Sequence, residues 1–377
     1  MTDNLTPKFA PVSSSLATTT ASSRSRTGRS GVVTSRFEPN PIILEISSTV
    51  LRVGYADQNK PQHVIRMEDP IFDTTTTDDN ENDETPTKTK TKSSKTKTES
   101  DWYRILSPLI DSVYDRLMCK PSSRRVVCLY SNQKYAPLQF QRALQQHFWN
   151  RGVSACVELD PLEVLPVSLG WTRGLGVHLN REEAYCVCLA DNYALPYTYQ
   201  MVPEGGYKHW LNHETNKFHG GKQEDVFPSS SDNNDNYETN LQSLAVAILL
   251  CLQACPRDLR LHVVSNIVFC GDGVLLMPDL PRRVMKRVKE ILENSHTNSD
   301  EKKDDKEDAS SNRTTTVFGS VPLDVGDLTS LASKIGLISC SPYRADWICW
   351  VGASLWASVW NKYNDEETPI PWSFQPK

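Results

Sequence analysis

The sequence lacks any uninterrupted apolar run near the roughly 20 residues that a membrane-spanning helix requires. Its N-terminal segment also lacks the apolar core of a secretory signal, so we expect neither membrane insertion nor secretion. The net charge of −5 at pH 7 is small and argues against nucleic acid as a main partner. Apolar residues make up only 38% of the chain, which indicates that part of it does not belong to a packed core.

The ten cysteines form no recognisable metal-binding pattern. Cys186 and Cys188 lie in a strand-like apolar segment, and Cys251 and Cys255 lie in a helix-like one. Neither pair is accompanied by a second pair at the spacing of a zinc site, so we predict buried thiols and no metal. Unpaired thiols are typical of a reducing compartment, and a cytosolic location is therefore expected.

Polar and charged residues dominate four segments that we predict to be disordered, because none carries enough apolar surface to offset the entropy of ordering. These segments are 1–36, 73–100, 219–238 and 295–316. The second changes from an acidic run to a Lys/Thr-rich run. That basic run either docks on an acidic surface such as a microtubule or, as the simpler interpretation, forms a solvated insertion.

The intervening segments alternate between strand and helix patterns. Strands are predicted at 42–46, 50–55, 63–65, 125–130, 153–158, 176–179, 184–189, 193–199, 267–270 and 317–323. Helices are predicted at 102–118, 137–150, 241–255, 281–293 and 350–362, with a shorter helix ending near Gly170. Three antiparallel strands followed by alternating helices and strands occur twice, which predicts an α/β fold of two related lobes around a cleft.

Three segments of the chain resemble the actin family. The first, Ile43–Asp57, is similar to the opening hairpin of actin and keeps four residues of its pattern, namely Arg52, Gly54, Tyr55 and Ala56. The second, Ser265–Gly273, resembles the strand and glycine loop of the actin adenosine site. The third, Trp350–Ser358, is similar to the closing helix Trp-Ile-Gly-Gly-Ser-Ile-Leu-Ala-Ser and follows a matching loop at Ser341–Arg344.

The resemblance implies an actin/Hsp70-like ATPase fold in which the small part of each lobe is reduced. An N-terminal arm, 1–36, precedes the first lobe, 37–170, which the insertion 73–100 interrupts. The second lobe, 171–342, has its small part reduced to 214–240 and carries the insertion 295–316. The remaining residues, 343–377, are expected to form a helix and a tail that return to the first lobe.

The segment from Arg124 to Glu214 looks most similar to the divergent actin-related proteins at the pointed end of dynactin. Pro203–Tyr207 resembles their Pro-Leu-Gly-Gly-Lys turn, and Pro369–Trp372 resembles their C-terminal Ile-Pro-Asp-Trp. The likeness implies a cytoskeletal protein whose partners are the subunits of the dynactin actin-like filament and the other pointed-end subunits. Three tryptophans are candidate interface anchors, although helical spacing explains the first two equally well as core residues: Trp356, Trp360 and Trp372.

The two segments that match the phosphate hairpins of actin depart from the family pattern. Active members use glycines there so that backbone amides approach the phosphates, and an Asp in each hairpin orients the magnesium ion. The first hairpin here carries Glu45 instead of Asp and side chains at both glycine positions, although Ser48 still offers a hydroxyl. The second reads His178–Glu182, without either aspartate or glycine, so we predict that hydrolysis is lost and that no residue is catalytic.

A residual nucleotide cleft would be lined by Ser48, Gly271 and Gly273. Hydrogen bonds to charged groups contribute roughly 1.5–3 kcal/mol each, so losing three removes about 6 kcal/mol, or about four decades of affinity. Low-affinity occupancy by ATP or ADP is compatible with that loss, whereas magnesium-dependent hydrolysis is not. The simpler interpretation of Gly271 and Gly273 is a tight turn between a strand and a helix.

The best hypothesis from the sequence is therefore a non-catalytic assembly subunit that caps an actin-like filament. A weak nucleotide-binding ATPase is one alternative. A nuclear actin-related subunit of a chromatin-remodelling complex is another, suggested by the basic arm and the Lys run. His209 and His213 are spaced to share a helix face, but no third ligand accompanies them, so a metal is not predicted there.

Overall fold

Residues 42–66 form three successive antiparallel strands because β-branched and aromatic residues recur between short polar turns. The protein was analysed as a computed structural model, which describes residues 39–67, 97–130, 137–203, 205–210, 232–300, 323, 325–362 and 373–374. The strands, in chain order, are β1 Ile42–Ile46, β2 Val50–Tyr55, β3 His63–Arg66, β4 Val126–Tyr130, β5 Ala155–Leu159, β6 Arg173–Leu179, β7 Ala184–Ala190, β8 Tyr193–Ala194, β9 Gln200–Val202, β10 Ile267–Cys270, β11 Leu337–Ile338 and β12 Ser373–Phe374.

Helices connect these strands in alternation. They are α1 Glu99–Leu117, α2 Leu138–Asn150, α3 Leu165–Leu169, α4 Asp232–Ala254, α5 Arg257–Val264, α6 Asp272–Leu276, α7 Leu280–Asp300 and α8 Ile348–Lys362. Short 3-10 helices occupy Pro121–Ser123, Pro196–Thr198 and Gly326–Lys334. None of the helices in the described part of the chain is both long enough and apolar enough to cross a bilayer.

The described strands form two mixed sheets with the same internal arrangement. The first has the order β12-β5-β4-β1-β2-β3, and the second has the order β11-β10-β6-β7-β8, with β9 also paired to β7. In each sheet an antiparallel hairpin leads the chain in, and later strands join its first strand in parallel. The predicted α/β class is therefore confirmed, and the repeat inferred from the sequence appears as two sheets of matching order.

Apolar residues form three clusters that alternate with the sheets. One packs α1 and α2 on the first sheet, and another packs α4 and α7 on the second. The third contains residues of both sheets together with α3 and α8, so this helix pair lies between them. Successive side chains of β1 illustrate the alternation, because Ile43 belongs to the central cluster while Ile42 and Leu44 belong to the outer one.

Two glycines of the segments that resemble actin permit close contacts of α8. A Cβ on Gly54 would lie 2.8 Å from Trp350 Cζ2, and one on Gly352 would lie 2.2 Å from the carbonyl oxygen of Val164. Trp350 is fully buried and donates a hydrogen bond of 3.3 Å from Nε1 to the carbonyl of Ile43. These glycines therefore position α8 against both β1 and the segment that leads into α3.

Three of the predicted disordered segments contain ordered ends. Residues 99 and 100 already belong to α1, residues 232–238 begin α4, and residues 295–300 complete α7. The prediction was wrong at these positions because adding residues to a helix that has already formed costs little free energy, so the helix continues into the neighbouring polar residues. The rest of these segments, 73–96, 219–231 and 301–316, lies outside the described residues, as do the arm 1–36 and the predicted strand 317–323 apart from Leu323.

The predicted single strand at 193–199 was also wrong. The chain there forms the short strand β8, a 3-10 turn at Pro196–Thr198 and then β9 from Gln200. Pro196 begins the turn because proline has no N–H to donate to a sheet ladder. Thr198 stabilises the turn through its hydroxyl, which donates to the carbonyl of Leu195 at 2.8 Å and accepts from the amide of Cys188 at 2.9 Å.

Candidate functional site

The candidate site is the place where the β1–β2 turn meets the β10–α6 loop. The β1–β2 turn is closed by its own groups, since the Ser47 amide donates to the Val50 carbonyl at 2.9 Å and the Val50 amide donates to Ser47 Oγ at 3.1 Å. Ser47 Oγ also donates to Asp272 Oδ2 at 3.0 Å. One serine hydroxyl therefore both closes the turn and joins it to the first residue of α6.

Arg52 lies at the centre of a buried charge cluster. Its guanidinium pairs with Asp272, with Glu45 at 3.3 Å and with Asp346 at 3.7 Å, and its side chain is only 3% exposed. Burial acts to lower the pKa of Arg52, but the neighbouring carboxylates raise it overall, so the guanidinium stays charged. Asp346 is held in turn by Arg344, whose Nε and Nη2 donate to the two carboxylate oxygens at 2.9 Å each.

Glu45 is the least favourable member of this cluster. Burial raises its pKa to about 7, and the carboxylates of Asp272 and Asp346 act in the same direction, while Arg52 opposes them. Its Oε1 accepts from Arg52, but its Oε2 has no hydrogen-bond partner. The Glu45 carboxylate therefore titrates near neutral pH and retains one unused ligand atom.

The second hairpin is tied to the helical residues 207–210 through its backbone. The carbonyls of its turn accept from successive amides of the following segment: Asn180 from Tyr207 at 2.9 Å, Arg181 from Lys208 at 2.9 Å and Glu182 from Gly206 at 3.2 Å. Because these amides are the first N–H groups of the helical turn, its N-terminus is occupied by protein acceptors. That terminus does not provide an anion site in this structure.

Side chains reinforce the same contact. The carboxylate of Glu182 accepts from Lys208 Nζ at 3.2 Å through both oxygens, and Arg181 and His209 lie within 3.4 Å and 3.9 Å of it. The Tyr207 hydroxyl meets the Thr49 hydroxyl of the first hairpin at 3.3 Å. The structure therefore pairs Glu182, part of the segment that matches the second phosphate hairpin, with Lys208 and Arg181.

The predicted cleft residues lie in this region, with different surroundings. Gly271 has φ of +95°, and a Cβ there would lie 2.7 Å from the Leu179 carbonyl oxygen; a Cβ on Gly273 would lie 2.8 Å from the Leu179 Cβ. Both glycines thus allow the β10–α6 loop to pack against the end of β6. Ser48 is half-buried at the tip of the first hairpin.

The predicted interface tryptophans are only partly within the described side chains. Trp356 is half-buried and packs against the central cluster. The side chain of Trp360, the residue Trp372 and the predicted partner histidine His213 lie outside the described part. The remaining histidine of that pair, His209, faces Glu182 and not a second imidazole among the described residues.

No protein-family model matches this chain, and no curated protein matches it in sequence. The site must therefore be interpreted from its own geometry. Glu45, Arg52 and Asp346 are buried at the junction of the two sheets, Asp272 is partly exposed, and Arg52 pairs with all three carboxylates.

Sequence reasoning missed the most consequential residue of the junction, Asp272. It lies between two glycines in a loop that resembles a nucleotide loop, and its carboxylate pairs with Arg52 of the first hairpin. The available signal was an acidic residue in a Gly-Asp-Gly loop together with an arginine in a strand. The two residues are 220 positions apart, so only the folded structure shows that they pair.

Proposed function

We propose that this chain is a non-catalytic, actin-related structural subunit that caps the pointed end of the dynactin actin-like filament and so supports dynein-dependent transport. The observation that carries the proposal is the ion pair of Arg52 with Asp272 at the junction of the two hairpins. Asp272 accepts a hydrogen bond from Ser47 and pairs with Arg52, so a protein carboxylate uses the donor groups of the first hairpin that a phosphate would need.

The architecture supports the actin/Hsp70-like part of the proposal. The two sheets share one strand order, and a helix pair lies between them. The segments that resemble actin also supply the close contacts of α8, through Gly54 and Gly352. A fold that retains these contacts is able to keep the docking surfaces of an actin-related subunit without keeping its chemistry.

The electrostatics of the junction weigh against nucleotide. A triphosphate entering there would meet the carboxylates of Glu45, Asp272 and Asp346, and it would have to displace Asp272 from Arg52. Like charges at this distance disfavour binding, and a hydrogen bond to a charged group is worth roughly 1.5–3 kcal/mol to whichever partner holds it. Asp272 belongs to the same molecule as Arg52, so it makes this contact without the loss of translational and rotational freedom that a binding nucleotide would incur.

A subunit with a fixed, nucleotide-free junction suits the end of a filament. Terminal subunits need one stable face toward the filament, and no nucleotide cycle is required to release a neighbour. The predicted reduction of the small lobes would remove the surface that a further subunit needs, so growth would stop at this position. Trp360 and Trp372 remain our candidate anchors for the partner.

Affinity capture from native lysate tests the assembly role. Full-length chain is used as bait, and the recovered proteins are quantified by mass spectrometry. We expect dynactin filament and pointed-end subunits to be recovered in amounts near that of the bait. The double variant Trp360→Ala/Trp372→Ala should reduce their recovery. The exposed Tyr193, far from the C-terminal segment in sequence, gives the matched control Tyr193→Ala, which should capture normally. Recovery of chromatin-remodelling subunits without dynactin would overturn the proposal.

Nucleotide content tests the loss of chemistry separately. The purified chain is denatured and the released nucleotide is measured by chromatography, alongside calorimetric titration with magnesium-ATP. We expect no co-purified nucleotide and no magnesium-dependent turnover. A stoichiometric nucleotide, or turnover that disappears in Asp272→Asn, would establish the alternative of a working actin-like ATPase.

A further inference from the structure

Three buried side chains from separate elements meet beside the charge cluster. His178 comes from β6, Cys270 from the end of β10 and Cys349 from the first turn of α8. One ligand atom of each lies within 4.8 Å of the ligand atoms of the other two. No other His, Cys, Asp or Glu group in the described part of the chain meets that condition.

The imidazole of His178 is an unexplained polar group. Its residue is 2% exposed, and neither ring nitrogen has a partner in hydrogen-bond geometry. Burial lowers the pKa of His178 to about 4, against smaller opposing effects of Asp272 and Asn180, so the ring is neutral at pH 7. Stacking on Tyr185, at 5.2 Å between ring centroids, holds it in one orientation. A buried imidazole whose ring nitrogens lack well-formed hydrogen bonds is costly unless something binds it.

The two sulfur atoms are spaced as metal ligands are. Cys349 Sγ lies 3.7 Å from Cys270 Sγ. Two Zn–S bonds of about 2.3 Å at a tetrahedral angle place their sulfurs about 3.8 Å apart, whereas a disulfide requires about 2.05 Å. Cys349 also lies in the first turn of the 15-residue helix α8, where the helix dipole favours an anionic ligand.

We propose that His178, Cys270 and Cys349 bind a thiophilic d10 cation, Zn²⁺ or Cu⁺. Thiolate and imidazole are the ligands that both ions prefer, and three ligands satisfy Cu⁺ in a trigonal site. Zn²⁺ requires a fourth ligand, which a water molecule would supply, because no carboxylate of the described residues joins the three ligand atoms within 4.8 Å.

Metal binding changes the proton count and the charge of the site. Binding releases the two thiol protons to solvent as the metal–sulfur bonds form, and the imidazole contributes a neutral nitrogen. Two thiolates cancel the charge of Zn²⁺ and leave one negative charge on a Cu⁺ site. The metal site does not depend on the proposed function, since it uses none of the residues assigned to an interface.

A second group of cysteines in the same protein provides a natural control. Cys186 and Cys188 of β7 belong to one core cluster with Cys251 of α4 and Cys255, which follows α4, and the sulfurs of Cys188 and Cys251 lie 3.4 Å apart. No three of these four described sulfurs lie within 4.8 Å of one another, and no imidazole joins them. We therefore assign them to packing, and Cys188→Ser should leave metal binding unchanged.

The experiment uses the full-length chain, expressed without a metal-affinity tag. The chain is unfolded with chelator and reductant, then refolded with Zn²⁺, with Co²⁺ as a spectroscopic probe, or with Cu⁺ under anaerobic conditions. Metal per chain is measured by mass spectrometry after gel filtration. We expect about one ion per chain, a thiolate-to-cobalt charge-transfer absorption and a higher thermal midpoint than without metal.

Variants locate the site and distinguish the ions. Cys270→Ser, Cys349→Ser and His178→Gln should each lose the cobalt absorption, while the control Cys188→Ser keeps it. Metal content of the wild-type chain after refolding with each ion distinguishes Zn²⁺ from Cu⁺. Circular dichroism of each variant without metal separates a lost site from a lost fold.

X-ray absorption of the unmodified protein requires no variant. It should show two sulfur ligands and one imidazole around the metal. The proposal is overturned if the refolded wild-type chain binds no metal, or if absorption shows only oxygen and nitrogen ligands. Retention of the ion in folded Cys270→Ser and Cys349→Ser chains would overturn it equally.

Discussion

Arg52, in the middle of the strand β2, forms a buried ion pair with Asp272, which begins the helix α6 some 220 residues further along the chain. The pair joins the first sheet to the loop that follows the second sheet's strand β10. Ser47 and Asp272 add a hydrogen bond at 3.0 Å beside it, and Thr49 and Tyr207 add a contact of 3.3 Å. The two sheets are therefore joined by polar contacts as well as by the central apolar cluster.

Replacing Arg52 by Met should destabilise the protein strongly. The substitution keeps the aliphatic stem but leaves Glu45, Asp272 and Asp346 without their shared cation in a buried site. Breaking a buried pair from one side costs about 3–5 kcal/mol. Urea unfolding should show this as a lower midpoint. The exposed Arg104, which pairs with Asp101 on α1, gives the control Arg104→Met, expected to cost less than about 1 kcal/mol. Equal losses for the two variants would contradict the expectation.

Gly206→Ala should disrupt the contact between the second hairpin and the helical residues 207–210. A Cβ there would lie 2.2 Å from the Glu182 carbonyl carbon and 2.3 Å from the Arg181 carbonyl oxygen, and neither backbone atom can move aside easily. We expect a loss of about 3 kcal/mol in the free energy of unfolding. Gly170 has φ of +66°, and a Cβ added there would have no atom within 4 Å. Gly170→Ala should therefore cost only about 1–2 kcal/mol, from the backbone conformation alone. Chemical denaturation of both variants, showing a smaller loss at Gly206, would refute the contact.

His147 should make the protein less stable in mild acid. Burial lowers its pKa below the ordinary 6.5, although Asp111 opposes the shift. Above pH 6.5 the ring is neutral in both states, and its contribution to stability is complete. As the pH falls below 6.5, the unfolded chain takes up the proton first, so the folded state loses stability toward the lowered pKa. Thermal midpoints of the wild type and of His147→Gln are measured between pH 8 and pH 5, in steps of about one unit. The wild-type midpoint should fall more steeply with decreasing pH than the midpoint of the variant, and parallel curves would contradict the expectation.

Thr98→Ala should weaken the start of α1. Thr98 accepts from the Asp101 amide at 3.3 Å, and Asp101 accepts from the Thr98 amide at 3.0 Å, which completes a capping box. Losing the threonine oxygen costs about 1 kcal/mol, whereas Thr98→Ser keeps an oxygen and should cost much less. Amide hydrogen exchange of the first turn of α1 measures the change. Unchanged exchange in Thr98→Ala would show that the cap does not hold that turn.

Local sequence patterns predicted the strands best. The limits of β1, β2 and β10 agree with the predicted segments, because β-branched runs with short polar turns specify a strand and its ends. The repeat of hairpin and alternating helices also predicted an α/β fold, and the structure has two mixed sheets. The hairpins depend on contacts between residues that are near in sequence, whereas the parallel pairings of β4 with β1 and of β10 with β6 do not.

Helix ends and distant pairs were predicted poorly for a common reason. Whether polar residues such as those of 232–240 stay helical depends on the apolar helix that follows them, and the composition of the polar segment alone does not show this. The meeting of His178, Cys270 and Cys349 depends on three elements arranged by the fold. The cysteine spacings in the sequence carried no sign of it, since neither thiol has a second cysteine at metal-site spacing.

The hydrogen bond from Ser47 to Asp272 has a mechanical implication. A hinge motion that separated the two sheets would break this bond and the Arg52–Asp272 ion pair in the same step. Because both contacts share one carboxylate, we expect them to open together and the two sheets to behave as one rigid unit.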